Sequence, residues 1–157
     1  MRVRGRFVLL GVAVVAAVLA AALAAASSRA AADRATLVSV QSTEFGKALF
    51  GPSGKVLYVF GADHNSTSTC YGVCAAAWPP LLTSSRAVAG AGVEAKLLGT
   101  TKRKDGHLQV TYAGHPLYYY SADKVGKVMC QHVNMHGGIW LIIKPNGEPN
   151  MAKGAHM

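Results

Sequence analysis

The sequence contains little of what common enzyme families need. Its 157 residues include no Gly-x-Ser-x-Gly motif, no phosphate-binding glycine loop and no His-Glu-x-x-His motif. The acidic residues from Asp33 onward include no close pair suited to general acid–base catalysis. We therefore expect a protein without catalytic activity, and a hydrolase whose site is not visible in the sequence is a distant alternative.

Acidic residues are scarce, but the basic excess is modest. The chain has 16 Lys and Arg against 7 Asp and Glu, and four of the arginines lie within the segment 1–32. From Asp33 onward the balance is 12 basic to 7 acidic residues, a net charge of +5. This excess is too small and too scattered to predict nucleic-acid binding. The basic run Lys102-Arg103-Lys104 predicts a solvated turn, or a weak attraction to anionic envelope polymer or lipid.

The segment 1–32 has the pattern of an export signal. Arg2, Arg4 and Arg6 precede a continuous uncharged run, 7–26, and small residues follow. The uncharged run is longer than the ~7–15 residues of a typical cleaved signal, and it reaches the ~20 residues of a membrane-spanning helix. Residues 1–32 are therefore a signal peptide or an N-terminal membrane anchor helix. Both alternatives predict an extracytoplasmic domain, secreted or anchored on the outer side of the cytoplasmic membrane.

The chain has only three cysteines, and none precedes Cys70, so the segment 1–32 offers no acceptor for a lipid anchor. Thiols of exported proteins tend to pair. Cys70 and Cys74 enclose a short loop with a glycine, and we favour a disulfide between them. A Cys70–Cys130 disulfide is the alternative. In either case one cysteine is left free, ligated or paired with another chain.

Two segments of the chain repeat each other at a constant offset. Residues 57–63, Leu-Tyr-Val-Phe-Gly-Ala-Asp, align with residues 117–123, Leu-Tyr-Tyr-Tyr-Ser-Ala-Asp. Cys70 aligns with Cys130, and Trp78 lies near the position that matches Trp140. We infer two copies of one unit, about 43–84 and 108–144, that bury their apolar faces against each other because one copy is too small for a core. They form one domain, 33–147, followed by a flexible tail, 148–157.

Period-2 patterns and turn residues predict a mainly β fold, that is, β-rich α+β. A strand is expected at 37–42, and hairpins are expected at 47–60 and, as its copy, at 107–120. Further expectations are a short helix at 70–77, a linker at 84–92 and a last strand at 138–143. Each copy thus contains one hairpin.

The repeated aromatic residues share one face of their strands because they are spaced two apart. Tyr58 and Phe60 in one copy, like Tyr118 and Tyr120 in the other, are expected to pack in the core; an aromatic platform for a flat ligand is the alternative. Asp63 and Asp123 end these strands and predict a turn or helix cap, or a cation site. Trp78 is expected to anchor the end of the helix in the core.

These residues carry a resemblance to a known family. Tyr58-x-Phe60-x-x-Asp63 and Tyr118-x-Tyr120-x-x-Asp123 resemble the Y-x-[FWY]-x-x-D signature of a bacterial family of secreted repeats and predicted lipoproteins. Residues 70–81, with the two cysteines and Trp78, resemble its C-x-G-x-C-A-x-x-W-P-P-L segment, and residues 114–118 and 137–140, ending at Trp140, resemble its second-copy elements. The resemblance spans about 38–147. It implies an envelope or secreted location and a paired-repeat domain, but no activity. The chain departs from the family in lacking the lipid-acceptor cysteine.

The segment 129–136 is richer in ligand-type residues than the glycine-rich stretch usual in the family. It holds one thiol, two imidazoles and two thioethers, a combination that suits copper. The candidate metal ligands are Cys130, His132, Met135 and His136, which converge only if the segment is a loop. Haem is the second candidate ligand, although no Cys-x-x-Cys-His motif is present.

Two functional hypotheses follow. The first is an extracytoplasmic, envelope-associated or secreted binding or interaction module without catalytic activity, acting on an unknown envelope partner or small ligand. The alternative is a copper- or haem-binding protein for metal handling or electron transfer.

Overall fold

A computed structural model describes residues 36–154. The predicted signal or anchor helix, residues 1–32, lies outside this range. Within 36–154, no helix has the length and apolar character needed to cross a membrane.

The regular elements of the described chain are mostly short strands, with one short helix. In chain order the elements are β1 (Leu37–Thr43), β2 (Gly46–Phe50), β3 (Tyr58–Phe60), α1 (Val73–Ala77), β4 (Leu82–Thr83), β5 (Val88–Ala89), a 3₁₀ turn (Ala95–Leu97), β6 (Leu98–Lys102), β7 (Leu108–Tyr112), β8 (His115–Pro116), β9 (Val133–Met135) and β10 (Gly138–Ile142). The expected β-rich fold with two repeats is confirmed. The helix begins later than expected, at Val73, and ends at the residue before Trp78-Pro79-Pro80, where proline stops it.

The strands form three small sheets. Their orders are β2-β1-β5, β3-β10-β9 and β4-β7-β6, and β8 adds to β7. One longer antiparallel pair lies at the start of each repeat: β1 precedes the first repeat and pairs with β2, and β6 precedes the second and pairs with β7. The middle sheet joins the repeats, because β3 of the first repeat pairs with β10 of the second.

The two repeats meet at their tyrosines. The backbone N–H of Tyr58 donates to the carbonyl of Tyr118 at 2.8 Å, and the N–H of Tyr118 donates back to the carbonyl of Tyr58 at 2.9 Å. The flanking bonds also match. Gly61 N–H donates to Ile139 O at 2.8 Å, and Ser121 N–H donates to Ala77 O at 2.9 Å. The repeats are therefore related by an approximate two-fold axis that passes between Tyr58 and Tyr118.

The predicted hairpins are only partly formed. The chain does reverse between Phe50 and Val56, but these strands share an isolated bridge and the bond from Leu57 N–H to Leu49 O. The main partner of β3 is β10 instead. The physical reason is burial: residues 56–60 are buried on both faces, so this strand lies inside the domain and pairs with strands of the other repeat.

Two hydrophobic clusters flank the inner strands. Alternate residues of this region enter different clusters, with Tyr58 and Phe60 in one and Leu57 and Val59 in the other. The first cluster is aromatic, and the second is mainly aliphatic. Both clusters take residues from both repeats, so the repeats share one interior as the sequence predicted. Among the described residues, the buried members of both clusters lie between Val38 and Ile143.

Two segments expected to lack structure make specific contacts. The linker 84–92 contains β5, which pairs in parallel with β1. In the expected tail, Asn150 is buried, and its N–H donates to Ile142 O at 2.8 Å. Its side chain also donates to Phe45 O at 2.8 Å. The chain is therefore attached to the domain at Asn150, which differs from the expected flexible tail over 148–157.

Candidate functional site

The aromatic motif residues form one stack at the centre of the domain. The rings of Trp78 and Trp140, one from each repeat, stack with centroids 4.0 Å apart and an interplanar angle of 5°. Phe60 of the first repeat stacks on Trp140 at 4.2 Å, and Tyr120 of the second repeat lies against Trp78 at 4.6 Å. Each repeat therefore places its second motif aromatic on the tryptophan of the other repeat.

The two motif tyrosines complete this aromatic cluster edge-on. Tyr58 meets Trp78, and Tyr118 meets Trp140, each at 5.2 Å between ring centroids. These four side chains have no exposed surface. They pack as the core interpretation expected, and they leave no face for a flat ligand. Aromatic pairs in such geometries stabilise a core by about 0.5–1.5 kcal/mol each beyond their burial.

The first polar site joins Tyr118 to Asp63 across the repeats. The Tyr118 hydroxyl lies 2.7 Å from Asp63 Oδ2, to which it donates, and 2.7 Å from Ser68 Oγ. Asp63 Oδ1 accepts bonds from the backbone N–H and the hydroxyl of Thr69, at 2.7 and 2.8 Å. Asp63 thus holds its own turn, as predicted, and also fixes the tyrosine of the other repeat.

Arg103 adjoins this first site, and its burial contradicts the solvated turn that the run Lys102–Lys104 predicted. Its side chain is 1% exposed and donates to Ser68 Oγ, Gln109 Oε1 and Cys70 O at 2.6–2.8 Å. The guanidinium also lies 4.3 Å from the centroid of the Tyr71 ring. Its neighbours Lys102 and Lys104 are exposed. Sequence reasoning missed Arg103 because its acceptors on Ser68 and Cys70 are distant in the sequence, and it missed Gln109 because no local pattern marks it.

The second polar site is the symmetric counterpart of the first, but two of its buried polar atoms lack hydrogen-bond partners within residues 36–154. We call it the open site in this sense. Asp123 Oδ1 accepts from the backbone N–H of Met129 at 3.0 Å, as Asp63 does from Thr69. Tyr58 Oη lies beside Asp123, yet within residues 36–154 neither Tyr58 Oη nor Asp123 Oδ2 has a hydrogen-bond partner. Cys130 and Tyr120 border the same site.

Burial dominates the electrostatics of this open site. It raises the pKa of Asp123 to about 6, against the opposing effects of the neighbouring Tyr58 hydroxyl, the Met129 N–H and the charge of Lys55. Burial also raises the pKa of the Cys130 thiol, and the nearby Asp123 carboxylate adds to this effect. A thiol with a raised pKa and little exposure is a poor nucleophile and a poor metal ligand. The site therefore favours neutral, protonated groups.

The cysteines pair as favoured from the sequence. Cys70 and Cys74 form a disulfide with Cα atoms 5.3 Å apart, which connects the start of the helix to the first polar site. Within the described residues, Cys130 is free and buried. Cys130 occupies the position in the second repeat that Cys70 has in the first. The position that matches Cys74 is Asn134, so the second repeat offers no second thiol there.

The proposed metal ligands lie in different environments. Cys130 is buried, whereas His136 is exposed at the turn between β9 and β10. His136 and Gly137 have φ values of 54° and 83°, which a two-residue hairpin turn of type I′ requires. Met135 packs against the aromatic cluster. Over 36–154, no three His, Cys, Asp or Glu side chains are grouped to hold a metal ion. The copper or haem hypothesis, which also included His132, stays a prediction that this arrangement does not support.

Comparison with known proteins finds the same division into two repeats. A family model described as a secreted repeat of unknown function matches residues 39–82 and 99–144, which together make up more than half of the chain. The chain belongs to this secreted-repeat family. Comparison with curated proteins and with solved structures finds no match. The family's description as secreted fits an extracytoplasmic location for the domain.

The secreted-repeat motif fixes the same loop in both copies. Each motif leads into a loop, which we call the first loop (residues 61–69) in one repeat and the second loop (residues 121–129) in the other. The two loops make matching turns. Thr67 N–H donates to His64 O at 2.8 Å, and Lys127 N–H donates to Lys124 O at 3.1 Å. The tip of the first loop reads His-Asn-Ser-Thr, whereas the tip of the second reads Lys-Val-Gly-Lys. The two repeats thus present different chemistry on a shared backbone plan.

Proposed function

We propose that the protein is an extracytoplasmic binding module of the bacterial cell envelope and has no catalytic activity. The observation that carries this proposal is the burial of the motif side chains. The four central rings and Asp123 lie in the interior that holds the two repeats together, so this framework does not present them to a substrate. The exterior loops are the parts left to contact a partner.

The framework itself suits this role. A disulfide, the interleaved aromatic stack and the buried Arg103 network give residues 36–154 a rigid scaffold. Loops carried on a rigid scaffold are where binding residues concentrate in proteins. The second loop is the stronger candidate, because its tip exposes charged and apolar side chains where the tip of the first loop exposes polar ones.

Binding to isolated bacterial envelopes tests the proposal. Residues 33–157 would be purified with the disulfide intact and sedimented with washed envelopes at increasing protein concentration. We expect saturable binding that weakens when the second-loop tip is replaced by Lys124→His, Val125→Asn and Lys127→Thr, the residues of the first loop. A matched change on another surface, Lys47→Thr, should leave binding unchanged. Absence of saturable envelope binding by the wild-type protein would overturn the proposal.

A further inference from the structure

We propose that the second loop docks the domain on an anionic lipid surface, with Val125 entering the lipid interface and lysines contacting the headgroups. This inference rests on the proposed function and names the partner of its exterior. The surface is formed by the second loop together with the adjoining turn 51–55, and we call it the lysine–valine surface.

Two loops are joined to make this surface. Gly126 N–H donates to Gly54 O at 2.9 Å, which attaches the tip of the second loop to the turn 51–55. Lys55 Nζ donates to Ser121 O at 3.2 Å at the start of the same loop. Gly126 has a φ of 70°, so a glycine suits the turn. The tip is therefore held in place, and its side chains are presented from a fixed backbone.

The charge of the lysine–valine surface is of one sign. Lys124 and Lys127 are exposed, and Lys55 is partly exposed beside them. The only carboxylate in residues 51–56 and 121–129 is Asp123, which is 4% exposed and turned into the open polar site. Three cations thus face solvent without a neighbouring exposed anion from their own loops. Each lysine close to an anionic surface strengthens binding by about fivefold.

Apolar side chains stand among these cations. Val125 is 69% exposed at the tip of the second loop, and Met129 is 39% exposed at its end. In the first loop the corresponding residues are Asn65 and Thr69. Moving an exposed valine from water into an apolar interface lowers the free energy of the system. The lysines on either side can reach back to the headgroups at the same time.

The valine favours lipid over an anionic polymer as the partner. A polymer of phosphates is recognised by charge alone, and Val125 would contribute little to its binding. A lipid surface uses both features, since charge attracts the loop and the acyl boundary accepts the valine.

Vesicle binding tests the inference with the leaderless protein, residues 33–157. Cooperative thermal unfolding would confirm the folding of this protein and of each variant. Sedimentation with vesicles of one part phosphatidylglycerol to two parts phosphatidylcholine is compared with pure phosphatidylcholine, at about 50 and about 500 mM salt. We expect binding to the anionic vesicles at low salt only. Lys124→His with Lys127→Thr should weaken it about 20-fold, and Val125→Asn about fivefold.

A composition-matched variant separates the position of the charges from their number. Lys124→His, Lys127→Thr, His64→Lys and Thr67→Lys moves both lysines to the first loop and leaves the amino-acid composition unchanged. Equal binding by this variant would overturn the inference, because net charge alone would then explain binding. No binding of the wild-type protein to anionic vesicles would also overturn it.

Two further outcomes distinguish the lipid from other partners. If soluble polyphosphate competes fully with vesicle binding and Val125→Asn has no effect, the partner is an anionic polymer and the lipid assignment is overturned. Saturable binding to envelopes without binding to anionic vesicles would overturn the lipid assignment and leave the proposed function intact. Failure of both binding experiments would remove both proposals.

Discussion

Removing one hydroxyl from each motif tyrosine is expected to have opposite consequences in the two repeats. Tyr118→Phe deletes a hydroxyl that bonds Asp63 Oδ2 and Ser68 Oγ, each at 2.7 Å. Tyr58→Phe deletes a buried hydroxyl that has no hydrogen-bond partner within residues 36–154. Both substitutions keep the ring that packs against tryptophan, so the hydroxyl is the only group that changes.

The magnitudes follow from these contacts. A hydrogen bond to a charged group contributes about 1.5–3 kcal/mol and a neutral one about 1 kcal/mol. Because Asp63 keeps its two bonds from Thr69, we take the lower end and expect Tyr118→Phe to lower the free energy of unfolding by about 2–3 kcal/mol. For Tyr58→Phe we expect no loss, or a gain of up to about 1 kcal/mol, since burial of an unpaired hydroxyl is removed.

Urea unfolding at pH 7 with the disulfide intact measures both values. At a slope of about 1.5 kcal/mol per molar urea, the midpoint of Tyr118→Phe should fall by about 1.3–2 M and that of Tyr58→Phe should not fall. Equal slopes for the wild type and both variants serve as the control for comparable unfolding. Equal destabilisation by the two substitutions would refute the distinction between a closed and an open polar site.

Two other predictions concern the open site. Burial raises the pKa of Asp123 to about 6. The stability that its protonated carboxyl contributes is therefore fully present below the ordinary pKa near 4 and is lost as the pH rises through 6. The free energy of unfolding of Asp123→Asn should rise by about 1–2 kcal/mol relative to that of the wild type between pH 4.5 and pH 7.5. Urea unfolding at several pH values checks this, and a difference independent of pH would contradict it. Thiol counting should find no reactive thiol in the native protein, because Cys130 is buried, one in denaturant and three after reduction. Three thiols in denaturant before reduction would exclude the Cys70–Cys74 disulfide.

Residues that act in pairs show where sequence reasoning was sufficient. The constant offset between the repeated segments predicted two packed copies, and the structure places Tyr58 against Tyr118 at their junction. The short loop with a glycine favoured Cys70–Cys74, and this disulfide is present. Both conclusions depend on regularities along the chain, either a repeat or a short separation, which a sequence displays directly.

Other residues were beyond local patterns. Arg103 lies between two lysines beside a turn, and a basic run there predicts solvent exposure. Its burial depends on Ser68 and Cys70, which lie in the other repeat and supply acceptors for its guanidinium. The partner of β3 could not be predicted for a similar reason. A turn between 50 and 56 is visible in the sequence, but the competing strand β10 lies near the far end of the domain, at Gly138–Ile142.

The sequence by itself therefore determined the export pattern, the duplication and the β-rich class, and it favoured the disulfide that is present, because each is encoded in composition, spacing or near neighbours. Tertiary structure alone decided which repeat supplies each partner: Phe60 stacks on Trp140, Tyr118 bonds Asp63, and Arg103 enters the interior. Tertiary structure also decided that the Tyr118 hydroxyl is hydrogen-bonded, whereas the matching Tyr58 hydroxyl lacks a partner within residues 36–154. Such outcomes depend on the distances between groups far apart in the chain, and these distances exist only once the two repeats have packed together.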